Sequence, residues 1–206
     1  MSLYELTKKY GTNKIWHGYD SFYSKLFDNI KDNVEHFLEI GIDQGASLLA
    51  WRDYFSNATI FDIVIPSAVQ NVERIKYDVA DQSNISNLVN TMNKWGNPQF
   101  DIILDDGGHT VKQQRTSIET LWKFVKPGGY YIIEDLHTNI RKLHFIHPHL
   151  NEYSQHIDEL PTVHDKILNI MAGSQNEFAF PFSEIGEIYY FNTPGKMSLS
   201  CAFKKV

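Results

Sequence analysis

The stretch Asp101-Ile-Ile-Leu-Asp-Asp-Gly-Gly-His109 leads from an apolar strand directly into two carboxylates, two glycines and an imidazole. Phe100 to Leu104 has the short run of large apolar residues that is typical of a buried strand. Asp105 and Asp106 follow at its carboxyl end, where open α/β sheets form their ligand crevice. Side chains alternate along an extended backbone, so the two acids point in different directions and can serve different partners. The alternative is that one of them caps the helix that begins near Val111.

The composition is that of one ordinary globular domain. The chain has 206 residues, of which 42% are hydrophobic and 21% charged, so we expect a single domain over residues 1–206. The net charge of -6 and the absence of a long basic run argue against nucleic acid as the partner and favour a small molecule. Cys201 is the one cysteine, which excludes an intrachain disulfide and a cysteine zinc site. No apolar run is long enough for a membrane span or a signal peptide, which favours a cytoplasmic location.

A glycine turn after the first strand predicts a cofactor site. The strand Val34 to Ile40 ends in Glu39-Ile-Gly41-Ile-Asp-Gln-Gly45, and an apolar helical stripe follows. Gly41 permits a tight turn, and Gly45 lets a ligand approach the start of the helix. The spacing is neither that of a dinucleotide fingerprint nor that of a triphosphate loop. Glu39 would repel a pyrophosphate, so a cationic ligand fits better, although loops also need glycine for purely structural reasons.

Two further strands contribute acids to the same predicted site. Asp62 interrupts the apolar strand Ala58 to Ile65, where it either lies at a solvent-facing edge or accepts from ribose hydroxyls. Asp78 and Asp81 follow the strand Val72 to Tyr77, and they either contact the adenine side of the cofactor or stabilise a turn. Ser83 is predicted to cap the next helix.

A second acidic pair follows the fifth strand, Tyr130 to Ile133, which delivers Glu134-Asp-Leu-His-Thr138. The carboxyl ends of neighbouring parallel strands meet at one edge of a sheet, so Asp106, Glu134 and Asp135 are expected to converge. A divalent cation is the simplest compensation for three carboxylates, and oxygen ligands favour Mg²⁺, Ca²⁺ or Mn²⁺ over zinc. The alternative is that each acid caps its own loop.

The remaining segments flank this predicted sheet. Residues 1–30 form an N-terminal cap segment in which Lys14, His17, Tyr19 and Tyr23 either fold over a pocket or decorate the surface. Residues 139–182 have no strand signal and are expected to form a helical lid, with His144 to His149 in a solvated loop rather than a zinc site. Alternating residues around Thr193-Pro-Gly-Lys196 predict a terminal β-hairpin.

The order of elements and the motifs resemble a known family. Strand and helix alternate five times before the hairpin, which resembles the class I S-adenosylmethionine-dependent methyltransferases, a Rossmann-like α/β fold with a seven-stranded, mostly parallel sheet. Tyr10-Gly-Thr-Asn-Lys14, Glu39-Ile-Gly41, Asp105-Asp-Gly-Gly-His109 and Ile133-Glu-Asp-Leu-His137 resemble the metal-dependent sugar O-methyltransferases of macrolide biosynthesis. Asn13 and Gly108 depart from that family, which more often has Asp and Ser there. The family also carries a further N-terminal region without a counterpart in this sequence, so its acceptor and oligomer are not implied.

The resemblance implies a set of roles. It implies Mg²⁺ on Asp106, Glu134 and Asp135, with His109 as the general base that deprotonates an acceptor hydroxyl held by the metal. The cofactor, S-adenosylmethionine, is expected to contact a larger set of residues: Lys14, Glu39, Gly41, Gly45, Asp62, Asp78, Asp81 and Asp105.

Three other classes compete with a sugar methyltransferase. A catechol-type metal-dependent methyltransferase would use the same chemistry on an aromatic diol. A cofactor-binding partner protein would have no need of a base such as His109. A non-heme iron hydroxylase would require two histidines and one carboxylate. A homo-oligomer is left open.

Overall fold

The structure, a computed structural model, describes residues 1–41, 43–64, 72–154, 157, 161–171, 184–193 and 198–206. Its elements, in chain order, are α1 (Leu3–Tyr10), α2 (Lys14–His17), α3 (Tyr19–Phe27), β1 (His36–Ile40), α4 (Ala46–Tyr54), β2 (Thr59–Val64), β3 (Ile75–Val79), α5 (Ile85–Lys94), β4 (Phe100–Asp105), α6 (Val111–Leu121), β5 (Val125–Ile133), α7 (Arg141–Ile146), α8 (Val163–Met171), β6 (Ile185–Thr193) and β7 (Ser198–Lys205).

The strands form one seven-stranded sheet in the order β3-β2-β1-β4-β5-β7-β6. Strands β1 to β5 pair in parallel, and β7 pairs antiparallel with both β5 and β6. The predicted α/β architecture, a mostly parallel seven-stranded sheet with a C-terminal antiparallel hairpin, is confirmed. The turn predicted at Thr193-Pro-Gly-Lys196 lies mostly outside the described residues.

Alternation along the strands divides the core between the two faces of the sheet. In β4, Ile102 packs into one hydrophobic cluster and Ile103 into the other. The first cluster contains residues of α1, α3 and α4, and the second contains residues of α5, α6 and α8. Both faces of the parallel strands are therefore covered, as such sheets require.

The register brings the carboxyl ends of three central strands together. Ile40 of β1 lies opposite Asp105 of β4, which lies opposite Ile133 of β5. The next backbone N–H groups continue the ladder: Asp106 donates to the carbonyl of Ile40 over 3.0 Å, and Glu134 donates to the carbonyl of Asp105 over 2.9 Å. The acids after β4 and β5 are thus fixed beside the glycine turn after β1.

Several predicted boundaries were wrong. Strand β3 begins at Ile75 rather than Val72, and β5 begins at Val125, before the Pro-Gly-Gly that the sequence assigned to a loop. Helix α5 is capped by Asn84, whose side chain accepts from Asn87 N–H, whereas Ser83 donates to Asp81 in the preceding turn.

The segment expected to be a lid is helical where it is described. Within residues 139–182 the structure has α7, a 3-10 helix over Pro148–Tyr153, and α8. His144 lies in α7 and His149 in the 3-10 helix, with His147 between the two, so most of this stretch is helical rather than the expected loop. The His144 ring bonds the Thr138 carbonyl over 2.7 Å. A lid function remains a prediction. In the described part of the chain, no helix is long and apolar enough to cross a membrane.

Candidate active site

A cavity of about 950 Å³ opens at the carboxyl ends of the central strands. Its wall contains Gly41 after β1, Asp81 after β3 and the loop Asp106 to His109 after β4. Asp135, after β5, and the loop Gly11 to Asn13 complete it. This is the crevice that the sheet topology predicts for a ligand.

Gly41 is required by the protein itself. Its φ is +87°, and a Cβ there would lie 2.4 Å from the carbonyl oxygen of Asp106 and 2.6 Å from Cα of Gly107. The β4 loop therefore fills the space that a side chain would take, while Gly41 also lines the cavity, so its predicted cofactor contact stays a prediction. Gly45 caps α4 with a φ of 84° and does not line the cavity.

Glu39 lies behind the cavity wall and is fully buried. Its carboxylate accepts from Ser47 Oγ over 2.7 Å and from Trp51 Nε1 over 3.3 Å. The cation that it meets is Lys14, 3.3 Å away, whereas the sequence suggested a cationic ligand. Burial raises the pKa of Glu39, and the charge of Lys14 opposes that rise.

Two acids expected at the cofactor lie away from the cavity. Asp62 is fully buried, and burial together with the charge of Glu39 raises its pKa to about 9. Asp78 accepts from Lys94 Nζ over 2.5 Å and from Thr91 Oγ1 over 2.8 Å, which ties β3 to α5. Only Asp81, of the acids predicted on β2 and β3, lines the cavity among the described residues.

Asp105 supports the β4 loop instead of facing the cofactor. It is buried, which raises its pKa to about 7, and it accepts from Gln82 Nε2 over 2.6 Å. Gln82 in turn accepts from the N–H of Gly108 over 2.8 Å. Gln82 was missed by the sequence analysis, because a glutamine in a loop carries no spacing signal that would indicate this contact.

Lys14 occupies the centre of an acidic cluster below the cavity. Its side chain is 2% exposed, and its Nζ lies 2.7 Å from Asp106 Oδ2, 3.0 Å from Glu134 Oε1 and 3.3 Å from Glu39 Oε1. Burial favours the neutral amine, but the three acidic charges outweigh it and raise the pKa of Lys14 well above its ordinary value. The predicted cofactor contact of Lys14 is thus replaced by an internal ion pair network.

The group with metal-binding geometry is Asp106, His109 and Asp135. One ligand atom from each lies within 4.8 Å of the others, and His109 Nε2 is 3.5 Å from Asp135 Oδ2. Glu134, predicted as a ligand, does not join this group because its carboxylate turns inward to Lys14 and Tyr23. Burial, followed by the charge of Asp106, raises the pKa of Glu134 well above its ordinary value.

The loop-cap alternative is wrong for Asp106 and Asp135, whereas Asp105 does support its own loop by accepting from the N–H of Gly107 over 3.4 Å. Thr110 caps α6, since its side chain accepts from the N–H of Gln113. Asp135 precedes a 3-10 helix over Leu136–Asn139 without making a side-chain cap. These carboxylates are therefore available to other partners. Asp106 and Asp135 are partly exposed to the cavity, with side chains 19% and 21% accessible.

The sequence is similar to those of known O-methyltransferases. No protein-family model matches the sequence. The demethylmacrocin O-methyltransferase of Streptomyces fradiae is 35% identical over 147 residues, which cover 66% of this chain and 36% of that protein. The mycinamicin VI 2''-O-methyltransferase of Micromonospora griseorubida is 33% identical over 147 residues, with the same coverage of 66% and 36%. The chain thus spans about a third of the length of these relatives.

Solved structures agree on the fold. The MycE methyltransferase of the mycinamycin pathway, solved with Mg, SAH and mycinamycin VI, superposes with a TM-score of 0.77 at 23% identity. The match covers 100% of this chain and 54% of that one. The structure of a putative ribosomal RNA methyltransferase from Plasmodium falciparum superposes with a TM-score of 0.60 at 13% identity. The match covers 94% of this chain and 97% of the Plasmodium chain.

The resemblance noted in the motifs is therefore confirmed by sequence, and the predicted fold by structure. The chain has the class I methyltransferase fold, and its sequence relatives are sugar O-methyltransferases.

Proposed function

We propose that this chain is a metal-assisted O-methyltransferase that uses S-adenosylmethionine to methylate a hydroxyl of a sugar or a glycosylated metabolite. The observation that carries the proposal is the group Asp106, His109 and Asp135, which opens onto the same cavity as Gly41 and Asp81. An oxygen-rich cation site with an imidazole beside it thus lies within reach of a cofactor-sized space.

The donor set fits a hard divalent cation. Carboxylate oxygens are the preferred ligands of Mg²⁺ and Mn²⁺, and Asp106 and Asp135 supply them at the cavity surface. We retain Glu134 as a proposed third ligand: Lys14 and Tyr23 contact its Oε1, so Oε2 is the atom left for a cation, and the side chain would have to turn from its inward position to join Asp106 and Asp135. A bound cation would supply Lewis acidity that makes an acceptor hydroxyl easier to deprotonate.

His109 is assigned as the general base. Its side chain is 17% exposed and lines the cavity together with Asp106 and Asp135, and an imidazole placed beside a substrate hydroxyl can act as a general base. It would take the proton of the acceptor hydroxyl while the hydroxyl oxygen forms a bond to the methyl carbon. The carbon–sulfur bond of the sulfonium breaks in the same step, so the cofactor leaves as the neutral thioether.

The cavity divides between cofactor and acceptor. Gly41 and Asp81 lie on the side of β1 and β3, which we assign to S-adenosylmethionine. The side of His109 and Asp135 borders Tyr153, whose ring centroid lies 5.8 Å from that of His109, and we assign it to the acceptor. A small molecule fits this arrangement, since the net charge of -6 disfavours nucleic acid.

The test is mass spectrometry of candidate sugars and catechols incubated with S-adenosylmethionine and Mg²⁺. Methylated sugar should form, EDTA should abolish it, and added Mg²⁺ should restore it. Asp106→Asn should stay inactive in Mg²⁺ because it loses a carboxylate ligand, whereas Asp32→Asn, which changes an exposed acid far from the cavity, should be unaffected. Methylation of catechols alone would favour the catechol-type methyltransferase. Full activity in EDTA would refute the need for a divalent cation.

A further inference from the structure

The N-terminal helices place three polar side chains inside the acidic centre. Leu3, Leu6 and Phe27 of α1 and α3 pack in one core cluster with Trp51 of α4, so the segment is firmly docked on the sheet. Lys14, Tyr19 and Tyr23 from the same segment are buried, with 2%, 1% and 0% of their surface exposed. The suggestion that they decorate the surface is therefore wrong.

Each of the three side chains contacts the carboxylates at the strand ends. The Tyr19 hydroxyl donates to Asp135 Oδ1 over 3.0 Å, and the Tyr23 hydroxyl donates to Glu134 Oε1. Lys14 Nζ donates to Asp106 Oδ2 and shares Glu134 Oε1 with Tyr23. Three acids that follow β4 and β5 are thus held by donors from one N-terminal segment.

These contacts use one oxygen of each acid. They end on Asp106 Oδ2, Glu134 Oε1 and Asp135 Oδ1. The second oxygen of Asp135, Oδ2, is the one that lies 3.5 Å from His109. A hydrogen bond to one oxygen restricts the rotation of a carboxylate group, and so restricts where its other oxygen can lie.

The charges explain why a lysine is needed. Glu39 and Glu134 are buried, and Asp106 lies beside them with partial exposure. Burying like charges together is costly unless a cation compensates them. Lys14 lies within 3.3 Å of all three and supplies one positive charge to them.

We propose that the N-terminal segment is part of the metal site, with Tyr19 and Tyr23 as positioning residues for Asp135 and Glu134 and Lys14 as the fixed counter-charge of the cluster. The inference rests on the proposed function, because it requires a divalent cation at Asp106 and Asp135. Hydrogen-bonded supports of this kind commonly control how tightly a metal is held.

The test measures Mn²⁺ binding to the full chain by electron paramagnetic resonance, with Tyr19→Phe and Tyr23→Phe. Phenylalanine keeps the ring packing and removes only the hydroxyl, so both variants should fold and bind Mn²⁺ about 10–100-fold more weakly. Tyr54→Phe is the matched control, since it removes a 2.7 Å hydroxyl bond to Asp28 in the same aromatic core. Its Mn²⁺ affinity should equal that of the wild type.

A positioning role also separates the kinetic constants. In the tyrosine variants the Mg²⁺ concentration for half-maximal rate should rise, while the rate at saturating Mg²⁺ should return towards the wild-type value. Tyr19→Phe with wild-type Mn²⁺ affinity would overturn the proposal, and an unchanged Tyr23→Phe would remove Tyr23 from it. Failure of the wild-type chain to bind Mn²⁺ would instead overturn the proposed metal chemistry, and the inference with it.

Lys14 is tested by thermal unfolding with and without Mn²⁺. Lys14→Met removes the counter-charge, so the metal-free variant should melt lower, and Mn²⁺ should raise its Tm by more than it raises that of the wild type. Lys8→Met, which changes an exposed lysine of the same segment, should show the wild-type rise. An equal Mn²⁺-induced rise in Lys14→Met and the wild type would refute the counter-charge role.

Discussion

Gly41→Ala should displace the loop that carries the candidate metal ligand Asp106. An added Cβ would lie 2.4 Å from the Asp106 carbonyl oxygen and 2.6 Å from Cα of Gly107, and real Cβ atoms essentially never approach so closely. Both neighbouring atoms belong to backbone, which cannot rotate away as a flexible side chain could. The β1 turn and the β4 loop must therefore separate.

The size of the effect follows from two contributions. An alanine at a φ of +87° carries the left-handed backbone cost of about 1–2 kcal/mol. Forcing extra volume into a packed contact costs about 1–3 kcal/mol more. Together these give a loss of about 2–5 kcal/mol in the free energy of unfolding, which for a chain of 206 residues lowers Tm by roughly 4–20 °C.

Gly96→Ala isolates the first contribution, so its difference from Gly41→Ala gives the second. Gly96 has a φ of +83°, and a Cβ there would meet nothing within 4 Å. It should therefore lose only the backbone term and keep Mn²⁺ affinity, whereas Gly41→Ala should lose more stability and also bind Mn²⁺ more weakly. Thermal unfolding and Mn²⁺ titration measure both quantities. Equal stability and equal Mn²⁺ affinity in the two variants would refute the close contact between the β1 turn and the β4 loop.

Two further predictions separate chemistry from structure. His109→Ala should keep Mn²⁺ affinity and lose rate by about 10²–10⁴-fold, with partial recovery at high pH where hydroxide can remove the acceptor proton; loss of Mn²⁺ binding would make His109 a ligand instead. Asp62→Asn tests a buried acid whose pKa is raised from 3.8 to about 9. The folded state keeps a proton that the unfolded chain releases, so the free energy of unfolding of the wild type should fall as pH rises from about 4 to about 9. Asparagine does not titrate, so the free energy of unfolding of Asp62→Asn should gain on that of the wild type by on the order of 1 kcal/mol per pH unit. Thermal unfolding over pH 5 to 8 measures it, and a Tm difference that does not change with pH would contradict the assignment.

Periodicity was sufficient for most of the fold. Alternating or continuous apolar runs identified the seven strands, since each buries one or both faces in a single sheet. The errors in the strands fell at their ends, where local contacts decide, and helices α1 and α2 were not predicted. Strand β5 starts five residues before the predicted Tyr130 because Val125 pairs with Phe100 across a bulge, and no pattern in Lys126-Pro-Gly-Gly129 indicates that pairing.

The cofactor residues were harder to predict because each was judged alone. Glu39, Asp62 and Lys14 are charged residues near a predicted crevice, and each was therefore assigned to a ligand. All three are buried, and Glu39 and Lys14 contact each other. Lys14 is separated from Asp106 by 92 positions and from Glu134 by 120. Ion pairs between residues that are so distant in the sequence cannot be predicted from the spacing of neighbouring residues.

Alternation explains which acid of the first pair reaches the cavity. It predicted that Asp105 and Asp106 would face different ways, and Asp105 is indeed buried while Asp106 lines the cavity. After β5, Glu134 is buried and Asp135 lines the cavity, but alternation does not apply there, because Asp135 has a left-handed backbone with a φ of 54°. A cation at the cavity surface therefore has direct access to one acid from each strand. Glu134 lies outside that group, and Lys14 and Tyr23 contact only its Oε1, so under our proposal the N-terminal segment determines which Glu134 oxygen a cation could bind.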